Sequence, residues 1–459
     1  MKTKGIQRRT KPSGVATLLA VLALFGCSDT QRLEATGKSA IRGINALVDS
    51  PELSFLIEER SIGGVAFKSV AGFAEYDDLS YNFNFDILLP GDIEATRLGS
   101  QFIDVVVDNE YTVVLTGSYD NPIISFWEEP ERTFDGSETI FEMDFAHLAA
   151  SQGEIDVYLA AIGTTPVLGE EIGSLNVGER IPYQEFTDGT YEFIATPKGL
   201  PGTILFQSNG LISTPATRVT LAIFDADSSL NADLAVSLLD TAGGSATLFD
   251  INKPAQLRLL HAAFGTSNID GYLDSDFSSP AFPNIAYGEV SDYIDIDGSL
   301  MPLTITPIGN SGAPIFEQNT ASVLNSRSTI VFGGDPATPI FLELIDDARP
   351  IAPYPVLRVS NLSVNASPVN IYLIDTGAII DAETVGEFAA LPYPFDTGFF
   401  RPTRGMAELV ITRFADIIPI SVPLPLTMQN GDVFDVVILD TADPNVVDAV
   451  LFDSVVVSP

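Results

Sequence analysis

Four segments of the chain can be set in register with one another, and this internal repeat limits the fold more than any other feature of the sequence. The segments begin at Arg42, Asp144, Arg258 and Arg358. Their starts are roughly 100 to 114 residues apart, which is the size of one small β-sandwich domain and more than twice that of a propeller blade. The repeat therefore predicts four copies of one domain.

Each copy carries two polar positions at constant spacing. The first polar position is occupied by Asn45, His147, His261 and Asn361. The second lies nine residues later and is occupied by Ser54, Asp156, Asp270 and Asn370. Three copies then have a tyrosine two residues further on, at Tyr158, Tyr272 and Tyr372. A repeated polar position of this kind predicts a repeated turn contact.

Short apolar runs bounded by turn residues follow in each copy. TLAIFDAD from Thr220, STIVFGGD from Ser328 and FDVVILDTAD from Phe434 are dense in Val, Ile, Leu and Phe. Such runs are typical of β-strands, and no segment after the N-terminal region shows a sustained helical period with caps. We expect an all-β fold of tandem immunoglobulin-like β-sandwich domains, not a closed barrel.

The domain boundaries are expected where proline, glycine and charged residues accumulate. We predict a first sandwich over 41–139, a second over 140–252, a third over 253–349 and a fourth over 350–459. Because the joints contain proline, they favour semi-rigid spacing. The sequence suggests a rod of four beads.

The N-terminus has the pattern of a secretory signal. Five basic residues precede the apolar run 15–26, which is too short to span about 30 Å of hydrocarbon comfortably. Leu24, Phe25, Gly26 and Cys27 resemble the lipobox of bacterial lipoproteins. This resemblance implies cleavage before Cys27 and attachment of lipid to its sulfur; the alternatives are an ordinary buried cysteine and a permanent membrane helix. We expect a lipoprotein signal peptide over 1–26 and a polar linker over 27–40.

The residue after this cysteine bears on the membrane. Ser28 stands where an aspartate would indicate inner-membrane retention in enterobacterial lipoproteins. The resemblance therefore implies the outer membrane of a cell envelope. Whether the chain faces the periplasm or the exterior is left open by the sequence.

The composition excludes several functions. The chain has 61 acidic and 23 basic residues and a formal net charge of -38, which would repel nucleic acid. Cys27 is the only cysteine, so no internal disulfide and no cysteine-ligated metal site is expected. Neither a G-x-S-x-G nucleophile elbow nor a G-x-x-x-x-G-K phosphate loop occurs in the sequence.

The two histidines raise the question of catalysis. His147 and His261 occupy equivalent places in different copies, and the other two copies have asparagine there. Asparagine shares hydrogen bonding with histidine but does not titrate near neutral pH. The pattern therefore favours a structural hydrogen bond to turn backbone over a catalytic or metal-binding role.

Three further candidates have a structural and a functional interpretation. Asp156 and Asp270 are potential calcium ligands, but Ser54 and Asn370 at the equivalent positions favour a turn contact. The acidic run 225–233 offers spaced oxygens yet lacks the glycine and the terminal glutamate of an EF-hand loop. Trp127 is either a sugar platform or a core residue, and packing is favoured. No catalytic, cofactor-binding or metal site is therefore predicted, although calcium is possible.

The stretch RLLHAAFGTSNIDGYLD from Arg258 resembles the opening of the bacterial domain-of-unknown-function 4397 family. The resembling residues are Arg258, His261, Ala262, Ser267, Asp270 and Tyr272. The copies from Asp144 and Arg358 agree less closely, and the first copy departs most, with Ser54 and Leu56 at the aspartate and tyrosine positions. The resemblance implies a tandem β-sandwich protein of bacterial envelopes or secretions with no established activity.

Two classes of function are compatible with these features. The favoured one is a non-enzymatic, lipid-anchored envelope protein whose repeats form a structural, adhesion or binding scaffold for a protein, glycan or matrix partner. The alternative is a calcium-dependent carbohydrate binder or a carboxylate-based hydrolase with its site in one divergent repeat. The alternative requires a cleft lined by converging carboxylates.

Overall fold

A computed structural model describes residues 35–89, 92–298, 300–403 and 406–455. These residues form 35 strands in eight sheets and no helix, which confirms the all-β prediction. Within the same residues there is accordingly no helix with the length and apolar character needed to cross a membrane. Each repeat is a sandwich of two sheets.

The first sandwich extends from Lys38 to Pro130. Its strands are β1 (Lys38–Asn45), β2 (Leu53–Ile57), β3 (Arg60–Val65), β4 (Ser69–Val70), β5 (Ala74–Asp77), β6 (Ser80–Ile87), β7 (Thr96–Asp104), β8 (Asn109–Ser118) and β9 (Asn121–Pro130). β1 begins inside the predicted linker because Lys38 to Ile41 pair with β5.

The second sandwich follows after a short joint. Its strands are β10 (Ile140–His147), β11 (Ile155–Ala161), β12 (Gly173–Leu175), β13 (Arg180–Thr187), β14 (Thr190–Pro197), β15 (Phe206–Gln207), β16 (Leu211–Ile212), β17 (Arg218–Asp225), β18 (Leu234–Asp240) and β19 (Ser245–Leu248). β19 is an additional strand that extends one sheet beyond β18.

The third and fourth sandwiches have eight strands each. The third contains β20 (Ala255–Ala262), β21 (Ile269–Leu273), β22 (Phe282–Ile285), β23 (Ile294–Ile296), β24 (Met301–Pro307), β25 (Phe316–Thr320), β26 (Arg327–Asp335) and β27 (Thr338–Ile345). The fourth contains β28 (Val356–Asn361), β29 (Val369–Ile374), β30 (Phe388–Leu391), β31 (Phe395–Asp396), β32 (Met406–Arg413), β33 (Leu424–Thr427), β34 (Val433–Asp440) and β35 (Val447–Val455).

All four sandwiches share one strand order. In the third sandwich, one sheet has the order β23-β20-β26-β27 and the other the order β22-β21-β24-β25. The first strand, β20, runs parallel to the seventh, β26, whereas the other neighbours are antiparallel. This arrangement has four strands in each sheet and a parallel pair, so its strand order differs from that of seven-stranded constant immunoglobulin domains. The two-sheet architecture of every repeat confirms the predicted tandem sandwiches.

The parallel strands are buried on both faces. All eight residues of β34, VFDVVILD, are buried, as are all six of β28. Parallel strands covered on both sides have nearly continuous apolar sequences, in contrast to the alternation of half-buried strands. One face of this sheet packs on the sandwich's own second sheet, and the other requires a second cover.

The outer face of each sheet with parallel strands is covered by a neighbouring repeat, and the repeats do this in pairs. Ile44 and Val114 of the first sandwich share an apolar cluster with Ala222 and Phe224 of the second. Leu260 and Val331 of the third share another with Leu362, Val437 and Leu439 of the fourth. The sandwiches therefore pack sheet against sheet, first with second and third with fourth.

The repeats also make polar contacts outside these apolar clusters. Arg349, in the joint before the fourth sandwich, donates hydrogen bonds to the carbonyls of Val48 and Ser50 at 2.5 and 2.6 Å. Lys68 of the first sandwich forms a 3.1 Å ion pair with Asp227 of the second. The joint between the third and fourth repeats thus lies against the first, so the arrangement differs from the expected row of beads.

We predict that Leu260→Ala lowers the free energy of unfolding by about 2–4 kcal/mol, because it leaves a cavity in the sheet-to-sheet contact between the third and fourth repeats. The measurement is urea denaturation of the full chain followed by circular dichroism. Leu300→Ala in the same repeat, at a side chain that is 68% exposed, is the matched control. Equal effects of the two substitutions would contradict a buried interface.

Candidate functional site

The side chain at the first repeated polar position is hydrogen-bonded to a backbone carbonyl in all four copies. His147 Nε2 lies 2.9 Å from the carbonyl oxygen of Gly153, and His261 Nε2 lies 3.2 Å from that of Ser267. Asn45 donates to the carbonyl of Val65 at 3.2 Å, and Asn361 to that of Leu391 at 3.1 Å. The prediction of a structural hydrogen bond is confirmed.

A second bond closes the turn that follows this position. The backbone N–H two residues later donates to the side chain of Asn45, His261 and Asn361, at 3.0, 3.3 and 3.2 Å. These are short local contacts that histidine Nδ1 and asparagine Oδ1 both accept. Burial lowers the pKa of His147 and of His261 below the usual 6.5, so both rings are neutral at pH 7.

The second repeated position also holds turns. Asp270 accepts the N–H groups of Asn284 and Gly309 at 2.8 and 2.7 Å. Asp156 accepts the N–H of Gly199 at 2.7 Å, and Asn370 accepts that of Ala390 at 3.0 Å. These oxygens join loops to the second strand of the second, third and fourth sandwiches, as the turn interpretation predicted, whereas Ser54 of the first sandwich is exposed.

The acidic run 225–233 is dispersed among separate partners. Asp225 accepts the N–H groups of Ala150 and Ser151, both at 2.9 Å. Asp227 pairs with Lys68 as described above, and Asp233 pairs with Lys253 at 2.9 Å. Across the described ranges, no group of three or more His, Cys, Asp or Glu side chains is arranged to hold a metal ion.

Of the two remaining candidate residues, Trp127 and Cys27, the structure describes only Trp127. Trp127 packs, partly buried, against the apolar cluster between the first and second sandwiches, with the Arg180 guanidinium 5.5 Å from its ring centre. The packing interpretation of this side chain is confirmed. Cys27 lies outside the described residues.

Buried arginines on the paired sheets were not recognised as a site from the sequence. Arg358, on β28, donates from Nε to Asp435 at 2.9 Å and from Nη2 to Asp346 at 2.8 Å. Arg258 lies 3.6 Å from Asp346, and its Nε donates to Thr329 at 2.8 Å. Asp346 thus bridges the first strands of the third and fourth repeats. The signal was present in the sequence, since the repeat starts are arginine in three copies.

The first pair of repeats has a related cluster. Arg42, which is 1% exposed, donates to Thr112 at 2.9 Å within its own repeat and to Thr220 of the second repeat at 2.7 Å. Asp144 occupies the equivalent position in the second repeat and pairs with Arg180 at 3.4 Å. Arg42 therefore binds both its own repeat and the neighbouring one, whereas Asp144 pairs within its own repeat.

Burial controls the ionisation of these acids. It raises the pKa of Asp144 in spite of Arg42 and Arg180 nearby, and it raises the pKa of Asp435 to about 6 in spite of Arg358. Both acids have one buried carboxylate oxygen without a hydrogen-bond partner. These groups lie within interfaces, so we assign them to assembly of the repeats.

A cleft of about 620 Å³ is the strongest candidate for a binding site. It opens on the second sandwich beside the joint from the first, and its volume lies within the usual range for ligand pockets. Its apolar lining includes Phe141, Met143, Leu211, Val219 and Leu238. Its hydroxyl groups come from Ser213, Thr214, Thr217 and Ser245.

The charged groups of the cleft are paired. Arg218 binds Glu110 at 2.8 Å and Glu142 at 2.7 Å, and it stacks on Tyr183. Asp240 accepts the N–H groups of Ala242 and Gly244 at 2.8 and 2.7 Å. Burial raises the pKa of Glu110, although Arg218 opposes the shift. Carboxylates held in this way stabilise the rim of the cleft, whereas a hydrolase needs a pair that faces its substrate.

We predict that His261→Asn weakens the loss of stability in mild acid. Because burial lowers the pKa of His261, the unfolded chain takes up a proton near pH 6.5 while the native ring stays neutral, so stability present above pH 6.5 is lost as the pH falls below it. Asparagine keeps the turn contact and removes this titration. The measurement compares urea unfolding at pH 7.5 and 5.5, with His147→Asn as a parallel test. Unchanged pH dependence in both variants would contradict neutral buried histidines.

We predict that Arg358→Met destabilises the chain by about 3–5 kcal/mol, because it leaves the buried Asp435 without the arginine that pairs with it and removes one of the two arginines beside Asp346. Arg60→Met, at an exposed arginine of β3, is the matched control. Adding Asp435→Leu to Arg358→Met should recover part of the loss in thermal or urea denaturation. If the double variant were no more stable than the single one, the pairing of these two groups would not explain the effect.

Comparison with known proteins gives one family match. Residues 255–372 match the model of "Domain of unknown function (DUF4397)", a span that covers the third sandwich and reaches β29 of the fourth. No curated protein matches the chain. A solved structure, "The Bacillus anthracis TIE protein", is similar at 13% identity over 65% of this chain and 50% of that chain, with a TM-score of 0.15.

This structural likeness carries no argument about fold or function at that TM-score. The chain spans half the length of the TIE protein. The family match, by contrast, includes the residues that carried the resemblance, Arg258, His261 and Asp270. Residues 255–372 are therefore similar to the DUF4397 family, as the sequence pattern predicted.

Proposed function

We propose that the protein is a non-enzymatic scaffold of the bacterial cell envelope, anchored by a lipid on Cys27 and displaying four paired β-sandwiches. The observation that carries the proposal is the use made of the repeated polar side chains. His147, His261, Asp156 and Asp270 are hydrogen-bonded to backbone groups, and Arg42 and Arg358 are bound across interfaces. Side chains of the kinds that catalyse reactions thus serve to hold loops and repeats.

The paired arrangement suits a scaffold. Two apolar interfaces and two buried charge clusters restrict movement between neighbouring repeats. Ordered sandwiches in turn hold their surface loops at defined places, which is how binding residues are commonly presented. The scaffold therefore supplies both length and positioned loops.

The negative charge of the chain limits the chemical class of its partner. With a formal charge of -38, the surface repels nucleic acid and other polyanions. A protein, glycan or matrix component of the envelope without strong negative charge is compatible. We propose that the anchor places the scaffold at the outer membrane, facing either the periplasm or the exterior.

The competing proposal of a calcium-dependent carbohydrate binder or a carboxylate hydrolase has less support. Asp225, Asp227 and Asp233 have separate protein partners, and Glu110 and Asp240 at the cleft are held by Arg218 and backbone N–H groups. Trp127 packs between repeats and is absent from the cleft lining. Calcium binding or hydrolysis by these carboxylates would require them to break their present ion pairs and hydrogen bonds.

We predict that Cys27→Ala abolishes lipid attachment and membrane retention, because the proposed anchor requires lipid on this sulfur and the chain has no other cysteine. The measurement is metabolic labelling with an alkyne fatty acid in a Gram-negative host, followed by membrane fractionation. Thr30→Ala, close to the same position, should retain both label and membrane location. Fatty-acid labelling of the Cys27→Ala chain, or a soluble and unlabelled parent chain, would overturn the lipid-anchored proposal.

A further inference from the structure

The second sandwich differs from the others along the seam where its two sheets meet. In the third sandwich, Phe316 of β25 and Phe341 of β27 stack at 4.9 Å and close this seam. In the fourth, Ser421 and Val447 form a bridge between the corresponding segments. In the second, the cleft of about 620 Å³ occupies the equivalent place.

Two edge strands diverge at this cleft. Ser208 and Asp250 form an antiparallel bridge, and the N–H of Ile251 donates to the carbonyl of Gln207 at 2.9 Å. Beyond this bridge the strand through β16 and the strand β19 separate, and both line the cleft. The opening is therefore a wedge between two strands, closed at one end.

The backbone of each strand presents hydrogen-bonding groups to the wedge. On β19, the carbonyl of Gly244 accepts a hydrogen bond from the N–H of Asp240 on β18. Because hydrogen-bonded and non-hydrogen-bonded pairs alternate in an antiparallel ladder, the backbone N–H and C=O groups of Ser245 and Thr247 point away from β18. On β16, the N–H of Ser213 donates to Gly189, and by the same alternation the N–H and C=O of Ile212 point away from β14. Neither β16 nor β19 contains the lysine or proline that commonly protects an exposed edge.

The side chains of the wedge favour an apolar occupant with a basic end. Leu211, Val219 and Leu238 line its floor, and Ile212 is 80% exposed at its rim. At the mouth, Arg132 and Arg218 form ion pairs with three carboxylates, and a fourth carboxylate lines the cleft separately. The three paired carboxylates belong to Glu110, Glu138 and Glu142, and the fourth to Asp240. The mouth is therefore net negative, in keeping with the charge of the whole chain.

We propose that this wedge binds an extended segment of a partner protein, which adds as a β-strand to the edges of β16 and β19. Alternate apolar side chains of the segment enter the cleft, and a lysine or arginine at one end meets the acidic mouth. Backbone hydrogen bonds to Ser245, Thr247 and Ile212 provide affinity, and the apolar floor provides selectivity. The inference deepens the proposed scaffold function by naming the class of partner.

The test is selection of a phage-displayed library of random 12-residue peptides on the full mature chain with Cys27 replaced by Ala. We expect enriched peptides to alternate apolar residues and to carry lysine or arginine at one end. Labelled copies of these peptides should bind the chain at least tenfold more weakly after Ile212→Asp or after Thr247→Pro, which removes a backbone N–H that points away from β18 on the free edge of β19. The readout is fluorescence anisotropy.

The matched control is Ile379→Asp in the fourth repeat, at a side chain that is 87% exposed. This variant should bind the peptides as the parent does, and the melting temperatures of all three variants should verify their folding. Peptides whose binding is insensitive to Ile212→Asp and Thr247→Pro, or a selection without enrichment, would overturn the inference. A dimer of the chain that Ile212→Asp dissociates would identify a second copy as the occupant and would also overturn it.

The outcome is independent of the lipid anchor, because the selection uses a chain without Cys27. Failure of the peptide selection together with Cys27-dependent labelling would remove only the strand-binding site. Loss of the lipid anchor together with successful selection would leave a peptide-binding protein at another location.

Discussion

The parallel pairing of the first strand of each sandwich with β8, β17, β26 or β34 is the constraint on which the rest of the structure depends. Strands such as β28 and β34 are apolar on both faces, so a single sandwich covers only half of their surface. Leaving the other face in water would cost roughly 25 cal/mol for each Å² of apolar surface. The repeats therefore pack in pairs, and the pairing follows from the strands.

Apolar contact alone does not select which sheet faces meet, because the hydrophobic effect is non-directional. The buried charged groups provide the specificity of the pairing. Asp346 bridges Arg258 and Arg358, and Arg42 reaches Thr220 of the neighbouring repeat. A wrong pairing would remove the contacts that these buried arginines make across the interface, at a cost of several kcal/mol. We interpret the clusters as determinants of the pairing, whereas the apolar faces supply its stability.

Much of the local structure was predictable from the sequence. The exchange of histidine and asparagine between His261 and Asn361 indicated a hydrogen bond to turn backbone, and both side chains accept one from the N–H two residues later. The same reasoning placed Asp270 at a turn and Trp127 in packing. Arg258 and Arg358 were visible as repeat starts, but their shared partner Asp346 lies in a joint outside the repeated motif. Sequence periodicity contains no information about a partner that is not itself repeated.

The sequence by itself determined the fold class, the repeat and the residues that close each turn, because these depend on strand periodicity and on contacts between residues near in the chain. Only the tertiary structure decided that the repeats pair sheet to sheet, that Arg349 reaches the first repeat, and that the seam of the second sandwich stays open. These features depend on how separate sheets meet in space. The divergence of β16 from β19, which creates the cleft, is a relation between two edges that neither strand's sequence specifies alone.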